Sequence, residues 1–414
     1  MFKFRDYQNR IIEKGTEICA KYKFVYLAME VRTGKTLTSM GIAEALGCKN
    51  VLFVTKKKAI SSIEDDYKLL EPSFSITVIN YESLHKVESR PSNRFDFIVI
   101  DEAHSLGAFP KPSKRAKDIK ALIEKNKRPS VCLMSGTPTP ESYSQMFHQV
   151  YGIPNNPFNS YVNFYRFAKN YVDVKQRVIN SLHINDYSNG LESIIYKMQP
   201  YTISFTQKEA GFVNQIEEEV LKVEMAPIIY TIAKVLKKDK VVEGTDNTIL
   251  ADTPAKMMQK LHQIYSGTII TETGEAITLD ETKGIFIKDK FKNKKIAIFY
   301  KFKQELKVLK SVFKDTICTT IEEFRDSDKS IALQIVSGRE GISLKEAEAI
   351  VYYNIDFSAT SYWQSRDRMT TKERRYSKIY WVFSLTGIEN DIYKTVIKKK
   401  DYTVRHFKRD LLTL

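Results

Sequence analysis

The stretch of sequence that decides the fold is Met29-Glu30-Val31-Arg32-Thr33-Gly34-Lys35-Thr36. It follows the apolar run Phe24–Ala28 and precedes a helical pattern from Leu37 to Leu46. A strand, a tight loop ending in Gly-Lys-Thr and a helix are the setting in which backbone N–H groups bind phosphate oxygens. Because Met29 stands where a glycine is usual, this stretch alone leaves a second interpretation open, a Gly-Lys-Thr turn that caps an ordinary helix.

Each residue of the Gly-Lys-Thr loop has a distinct predicted role. The backbone of Arg32, Thr33 and Gly34, together with the helix dipole, would hold anionic phosphate oxygens. Lys35 would reach the β- and γ-phosphates of a nucleotide, and the Thr36 hydroxyl would ligate Mg²⁺. The loop therefore predicts a site for a nucleoside triphosphate.

Length and charge limit the class of protein. The 414 residues are too many for one ordinary core, so two or three domains are expected. With 43% hydrophobic and 28% charged residues the composition is globular. A net charge of +15 favours a polyanionic partner, most often nucleic acid.

Cysteines and apolar runs indicate the compartment. Cys19, Cys48, Cys132 and Cys318 lie far apart without metal-ligand spacing. The N-terminus has no apolar signal core, and no apolar run approaches the ~20 residues of a membrane helix. We therefore expect a reduced, cytoplasmic protein with no membrane partner.

Apolar runs alternate with helical stretches up to about residue 150, which predicts an α/β fold with a doubly wound parallel sheet. In such a sheet, ligands bind at the carboxyl ends of the strands. The runs are Phe24–Ala28, Asn50–Val54, Ile76–Ile79, Phe95–Ile100 and Pro129–Met134.

Two adjacent carboxylates, Asp101 and Glu102, follow the fourth run directly. In nucleotide hydrolysis the first would hold Mg²⁺ and the second would orient and deprotonate the attacking water. A charged exit from a strand is the alternative for an isolated Asp-Glu pair. We prefer the catalytic interpretation because a phosphate loop requires a metal-holding Asp on a later strand.

Further residues at strand ends are candidates for coupling and for nucleic-acid contact. Ser135 and Thr137 follow the fifth run, where their hydroxyls could bond the region of Asp101 and His104 and sense the γ-phosphate; a Pro/Gly turn is the alternative. The candidates for nucleic-acid contact after the second and third runs are Lys56, Lys57, Lys58 and Tyr81, although a lysine run is usually a solvated loop.

Gln8 opens an amphipathic helical pattern near the N-terminus. Its amide can read the edge of a nucleotide base with two hydrogen bonds. A plain helix start is the alternative. The position some two dozen residues before Gly34 makes adenine contact plausible.

These motifs together resemble the first motor lobe of superfamily-two helicases and translocases. They most resemble the Swi/Snf-like branch, including the small DEAH-box versions typical of bacteriophage genomes, in which Leu-Ala-x-Glu-x-x-x-Gly-Lys-Thr explains Met29. The resemblance implies two tandem RecA-like lobes that hydrolyse Mg²⁺–ATP at the cleft between them. The motifs are Tyr7-Gln8, Leu27 to Thr36, Asp101 to His104 and Ser135 to Pro138.

The resemblance covers residues 2 to 152 and resumes from about 290 to 400. We expect the first lobe at 1–152, a mainly helical insertion at 153–215 and the second lobe at 216–414, with a helical and hairpin lead-in at 216–290. The aromatic and basic segment Tyr161–Tyr171 could stack bases, but a packed helix is preferred.

The second half carries segments that resemble the second motor lobe. Gly341-Ile342-Ser343-Leu344 is similar to a Gly-x-Asn-Leu element, and Gln364-x-x-Asp367-Arg368 to the last motif. The resemblance implies that Gly341, Gln364 and Arg368 contact ATP, that Arg368 is the arginine finger, and that Ser337 and Gly338 contact nucleic acid. Thr371 stands where the family usually has a second arginine, and Arg366 or Arg374 could supply that charge.

The implied function is an ATP-dependent DNA helicase or translocase in replication, recombination or repair, in the host cytoplasm if phage-encoded. DNA rather than RNA rests on the resemblance. One alternative is the motor subunit of a restriction system, for which no Pro-Asp…Glu-x-Lys nuclease pattern is evident. Another is a nucleotide-gated DNA-binding scaffold that does not hydrolyse ATP.

Overall fold

The structure is a computed structural model of the chain. It describes residues 2–88, 94–126, 129–179, 182–212, 215–244, 247–338, 342–371 and 376–398. The chain divides into two compact units, Met1–Gly211 and Phe212–Leu414. Gly341 and Arg374 lie outside the described residues, as do the side chains of Ser337 and Gln364.

The first unit alternates strands and helices. Its strands are β1 Phe24–Met29, β2 Asn50–Thr55, β3 Ser75–Asn80, β4 Phe97–Ile100, β5 Ser130–Met134, β6 Lys175–Ile179, β7 Leu182–Asp186 and β8 Thr202–Phe205. Its helices are α1 Asp6–Tyr22, α2 Lys35–Ala45, α3 Ile60–Leu70, α4 Leu84–Glu88, α5 Lys114–Lys125, α6 Met146–Gln149, α7 Phe164–Tyr171 and α8 Ser193–Met198.

One six-stranded parallel sheet forms the frame of this unit. Its order is β3-β2-β4-β5-β1-β8, and every pair is parallel. The four residues of β4 are 0% exposed, as expected of a strand covered on both faces. Because β5 lies between β1 and β4, the carboxyl ends of these three strands are neighbours. The loop after β1, the Asp101-Glu102 pair and Ser135 therefore share one edge.

The segment between the fifth and the last strand of this sheet carries a separate hairpin. The strands β6 and β7 pair antiparallel, with Lys175 opposite Asp186 and Ile179 opposite Leu182. Helix α7 packs Phe164 and Phe167 into the core of the unit, in line with the preference for a packed helix. The sequence identified neither this hairpin nor β8.

The second unit repeats the alternation. Its strands are β9 Gln215–Val223, β10 Val241–Glu243, β11 Thr248–Leu250, β12 Thr268–Ile270, β13 Ala276–Thr278, β14 Ile296–Tyr300, β15 Ile317–Cys318, β16 Ser330–Gln334, β17 Ala349–Tyr352 and β18 Tyr376–Ser384. Its helices are α9 Pro227–Asp239, α10 Pro254–Tyr265, α11 Thr282–Lys290, α12 Lys303–Phe313, α13 Ile321–Asp326, α14 Ile335–Gly338, α15 Ala359–Arg366 and α16 Glu389–Val396.

A second six-stranded parallel sheet, of order β15-β16-β14-β17-β18-β9, frames this unit. The first strand of the unit in sequence, β9, pairs along its whole length with β18, the last. The predicted fold class, two tandem parallel-sheet lobes of the RecA-like type, is therefore confirmed. The predicted hairpin at 268–279 is also present, as β12 and β13.

Within the described residues, no helix combines the length and the apolar composition that crossing a membrane requires.

Candidate active site

The loop between β1 and α2 adopts the backbone that a phosphate loop needs. Arg32 has φ of 63° and Gly34 φ of 82°, both in the left-handed region. A Cβ on Gly34 would lie 2.6 Å from Gln8 Nε2, so the position requires glycine. Met29 is a fully buried residue of β1 paired with Phe205, so it belongs to the strand rather than to the loop.

The N-terminus of α2 presents backbone donors to this loop. Gly34 is the N-cap residue, and it makes no side-chain cap hydrogen bond because it has no side chain. The first N–H groups of an uncapped helix and its dipole favour an anion. Lys35 Nζ donates to the Glu30 carbonyl at 3.2 Å, so the ammonium lies over the loop.

Residues from distant parts of the first unit support the loop. Tyr7 donates its hydroxyl to the Thr33 carbonyl at 3.2 Å and stacks on Phe205 at 4.7 Å between ring centroids. Gln207 donates its backbone N–H to Glu30 Oε2 at 2.7 Å and its amide to the Val31 carbonyl at 3.1 Å. The sequence carried no signal for Gln207, because only the pairing of β8 with β1 brings it to the loop.

Gln8 lies beneath the loop rather than on an open surface. The residue is 3% exposed. Its Oε1 accepts from the Arg5 N–H at 3.1 Å, and its Nε2 donates to the Gly34 carbonyl at 3.4 Å. The structure thus joins Gln8 to the loop; its contact with adenine stays a prediction.

Asp101 and Glu102 lie at the carboxyl end of β4. Thr55, the last residue of β2, donates its hydroxyl to Asp101 Oδ2 at 2.8 Å. Burial first, and then the negative charge of Glu102, raise the pKa of Asp101 to about 6, while Lys35 and the Thr55 hydrogen bond act in the opposite direction. Lys35 on the loop therefore lies close enough to this carboxylate to favour its charged form.

Thr55 is a functional candidate that the sequence analysis missed. Its position directly after an apolar run and directly before Lys56 was the available signal. Tyr81 was expected to contact nucleic acid, but it is 3% exposed and donates its hydroxyl to the backbone carbonyl of Asp101. Its ring lies under Arg115, with the guanidinium carbon 5.0 Å from the centroid. In this structure Tyr81 therefore holds the backbone of the acidic pair by a hydrogen bond.

The coupling candidates lie together beside the acidic pair. His104 Nδ1 is 2.9 Å from Ser135 Oγ and 3.2 Å from Glu102 Oε2. The Thr137 N–H donates to Ser135 Oγ at 3.1 Å. Ser135 is fully buried, so its hydroxyl makes these hydrogen bonds away from solvent. The predicted set His104, Ser135 and Thr137 is therefore one hydrogen-bonded chain.

The turn after β5 also approaches the loop. A Cβ on Gly136 would lie 3.7 Å from Lys35 Nζ and 3.5 Å from the Val31 N–H nitrogen. Gln149 holds this turn, because its Nε2 donates to the Pro138 carbonyl at 2.6 Å while its Oε1 accepts from the Tyr26 hydroxyl at 2.7 Å. Gln149 thus ties this turn to β1, the strand that precedes the loop.

The donor set fits Mg²⁺ bound with a nucleotide. Thr36 and Asp101 offer a hydroxyl and a carboxylate, the hard oxygen ligands that Mg²⁺ prefers. Among the described residues, no group of three or more His, Cys, Asp or Glu could hold a metal alone. In proteins Mg²⁺ usually keeps several waters and takes further ligands from phosphates.

The lysine run after β2 lies at the same edge of the sheet. Lys57 and Lys58 are exposed and Lys56 is half-buried. Exposure at the carboxyl edge is compatible with the predicted contact to backbone phosphates.

In the second unit, the two predicted motif segments contact each other. The Leu344 N–H donates to the Arg368 carbonyl at 2.9 Å, and Arg368 Nη1 donates to the Ile342 carbonyl at 3.5 Å. Arg368 lies in the short turn Asp367–Met369 that follows α15. The segment 342–344 and the arginine-bearing turn are therefore one local structure.

Arg366, the described alternative to Arg368, is held elsewhere. Its Nη1 lies 3.0 Å from Glu218 Oε1, and its guanidinium carbon lies 4.7 Å from the ring centroid of Trp363. The same carboxylate accepts from the Tyr362 hydroxyl and the Trp381 N–H, both at 2.9 Å. Arg366 thus anchors α15 to β9, which favours Arg368 for the finger role.

Part of the candidate site lies in a region that matches a known protein family. Residues 62–140, which include Asp101–His104 and Ser135–Pro138, match the family model described as Type III restriction enzyme, res subunit. No curated protein matches the chain.

Two solved structures of a Sulfolobus solfataricus SWI2/SNF2 ATPase are similar to this chain, each at 15% identity. The core in complex with dsDNA covers 96% of this chain and 91% of its own, with a TM-score of 0.43. The core domain alone covers 96% and 89%, with a TM-score of 0.42.

Proposed function

We propose that this chain is an ATP-dependent DNA motor, a helicase or translocase, that acts in replication, recombination or repair. The observation that carries the proposal is the grouping of Lys35, Asp101, Glu102 and the His104–Ser135 pair at one sheet edge. The net charge of +15 supports a nucleic-acid partner. DNA rather than RNA rests on the resemblance to the Swi/Snf-like branch.

The residues divide the work of hydrolysis. Lys35 and the first N–H groups of α2 bind the phosphates, and Gln8 contacts the adenine. Thr36 and Asp101 would hold Mg²⁺, which when bound neutralises charge on the phosphates. Glu102 orients the attacking water and accepts its proton. His104 and Ser135 link this carboxylate to the turn after β5, so that the state of the phosphates changes the rest of the unit.

Steady-state ATP hydrolysis, with and without DNA, tests the proposal. We expect Lys35→Ala and Glu102→Gln each to lower the stimulated rate by at least about 100-fold, because each removes a group that acts on the reacting phosphate or water. Lys68→Ala is the matched control, since that side chain is 74% exposed on α3. Stimulated turnover at the wild-type rate in both site variants would refute an ATPase at this site.

Arg368 is proposed to stabilise charge on the transferred phosphoryl group. Arg368→Lys should lower the catalytic rate with little change in unfolding temperature. Arg366→Lys should lower the unfolding temperature first, because Arg366 is the ion-pair partner of Glu218. The reverse pattern would assign the finger to Arg366.

The nucleic-acid substrate is identified by comparing how strongly single-stranded DNA, duplex DNA, forked DNA and RNA stimulate ATP hydrolysis. Stimulation by duplex alone indicates translocation, and strand release from forked DNA indicates a helicase. Stimulation only by RNA would overturn the DNA assignment. ATP binding without stimulated turnover on any of the four would instead support a nucleotide-gated scaffold.

A second candidate is the motor subunit of a restriction complex, which the matched family name favours. It is tested by incubating the protein with ATP, Mg²⁺ and supercoiled plasmid. Nicked or linear product would support a nuclease activity in this chain. Hydrolysis of ATP with intact plasmid supports the motor without a nuclease.

A further inference from the structure

The charged side chains exposed on α12 are all lysines. Among residues 303–314 the exposed positions are Lys303, Lys307, Lys310, Ser311 and Lys314, while Glu305, Val308, Leu309 and Phe313 are buried. Lys303, Lys307 and Lys310 follow the i, i+4, i+7 spacing of one helix face, and Lys314 comes directly after the helix ends, with φ of 53°. We call these four residues the lysine face.

Two other amphipathic helices, α5 and α1, expose both signs of charge. On α5 the exposed charged positions are Lys114, Lys117, Glu124 and Lys125. On α1 the corresponding positions include Glu13, Lys14 and Glu17. A solvated helix ordinarily mixes charges in this way, because like charges at i,i+4 repel. The lysine face therefore carries a repulsion that a bound polyanion would relieve.

Neighbouring α11 extends the positive surface. A Cβ on Gly284 would lie 3.1 Å from Val308 and 3.2 Å from Val312, so glycine lets the two helices approach closely. Lys288 donates to the Val312 carbonyl at 2.7 Å, beside the lysine face. Three further exposed lysines follow, at Lys290, Lys292 and Lys294.

Within the described part of the chain, the lysine face forms no ion pair. Among the described residues, the ion pairs of this region join Lys283 to Glu389, Lys301 to Asp356 and Lys329 to Glu323. None involves the lysine face. The nearest exposed carboxylates in sequence, Asp289 and Asp315, lie at the ends of the two helices.

We propose that the lysine face of α12, extended by Lys288, binds the sugar–phosphate backbone of nucleic acid. From Lys303 to Lys310 the face spans about 10 Å at the ~1.5 Å rise of a helix. A duplex presents a negative charge every ~1.7 Å along its axis, so several phosphates lie within reach of a surface of this length. Only Lys301 and Phe302 separate Lys303 from the end of β14, so the surface begins near the carboxyl edge of the sheet, where ligands bind.

The inference rests on the proposed function for its partner, nucleic acid, but not on ATP hydrolysis. The test is therefore a binding measurement. Affinity of the full chain for a fluorescent duplex DNA is measured without nucleotide between about 50 and 200 mM salt, the range in which phosphate contacts dominate. The variant is K303Q/K307Q/K310Q. The matched control is K114Q/K117Q/K125Q, which removes the same charge from α5.

For the lysine-face variant, the slope of log affinity against log salt should fall by about 2 to 3, near 0.9 for each lost contact. In the α5 control, this slope should change by well under one. K303R/K307R/K310R keeps the charge and should keep the slope. ATP hydrolysis without DNA should be unchanged in all of them, which also verifies folding.

An equal loss in the α5 control would overturn the site, because net charge alone would then explain it. An unchanged slope in the lysine-face variant would overturn it as well. If that variant kept the salt dependence of DNA binding but lost binding to polyglutamate, the proposal would be wrong and the face would be assigned to an acidic protein partner. If the chain hydrolyses no ATP but the lysine-face variant still shows the expected fall in the slope, this inference stands and the proposed motor function is refuted.

Discussion

The imidazole of His104 lies 2.9 Å from the hydroxyl of Ser135, although the two residues follow different strands. The bond joins the acidic pair to the turn after β5. We predict that Ser135→Ala lowers DNA-stimulated hydrolysis on the order of tenfold, the effect of one buried hydrogen bond. Hydrolysis without DNA should fall much less.

The measurement is the ratio of the rates with and without DNA. Ser113→Ala is the control, because Ser113 loses a comparable hydroxyl bond, to the Ala116 N–H, at the start of α5. A ratio that falls equally in both variants would show a general loss of stability rather than coupling.

The hydroxyl of Thr55 orients Asp101 at 2.8 Å. Removing a hydrogen-bond partner of a metal ligand typically weakens metal affinity or activity 10–100-fold. We therefore predict that Thr55→Val raises the Mg²⁺ concentration needed for half-maximal hydrolysis by about tenfold. Thr55→Ser keeps the donor and should behave as wild type. Identical Mg²⁺ curves for Thr55→Val and wild type would exclude Asp101 as the metal ligand.

The second unit contains a fully buried ion pair. Lys283 on α11 lies 2.8 Å from Glu389 on α16, and both side chains are 0% exposed. Lys283→Met would leave a buried, uncompensated carboxylate, so we predict a loss of roughly 3–5 kcal/mol in the free energy of unfolding. K283M/E389L removes both charges and should recover most of that loss.

Denaturant unfolding followed by circular dichroism measures these changes. The control is Lys256→Met, since Lys256 pairs with Asp252 at 3.1 Å with both side chains about half exposed. That loss should stay below about 1 kcal/mol. A Lys283→Met variant as stable as the control would mean that the pair is not buried in solution.

His262 makes the stability of the second unit depend on pH. It is fully buried, its Nε2 is 2.6 Å from Asn354 Oδ1, and its Nδ1 has no hydrogen-bond partner among the described residues. Burial first, and then the positive charge of Lys301, hold the pKa of His262 well below its usual range. The folded state therefore keeps a neutral imidazole where the unfolded state takes up a proton.

Below the unfolded histidine pKa of about 6.5, the unfolded state binds more protons than the folded state, so stability falls as pH falls. The nearby Glu305, whose pKa is raised by burial, acts in the opposite direction. Comparison with His262→Gln isolates the histidine. The stability gap between wild type and this variant should narrow by up to about 1.4 kcal/mol per pH unit below pH 6.5. A constant gap would contradict a neutral, buried His262.

The amino-acid sequence by itself determined most of the residues of the candidate site in the first unit. Each candidate directly follows an apolar run, and parallel strands align their carboxyl ends at one edge. Lys35, Asp101 and Ser135 could therefore be assigned to the same edge from local patterns alone. The same reasoning correctly predicted two parallel sheets, because alternation and burial are properties of short segments.

Only the tertiary structure decided which of these residues touch. The order of the strands places β5 between β1 and β4, and so puts Ser135 on His104. Pairing of β8 with β1 brings Gln207 to the loop. Tyr81 is buried in the core, although its position after a strand suggests an exposed contact. The lysine face likewise emerges only when the core defines which side of α12 remains in water. Local propensity fixes a strand or a helix, but a strand's neighbours are chosen by the burial of apolar surface between segments far apart in the chain.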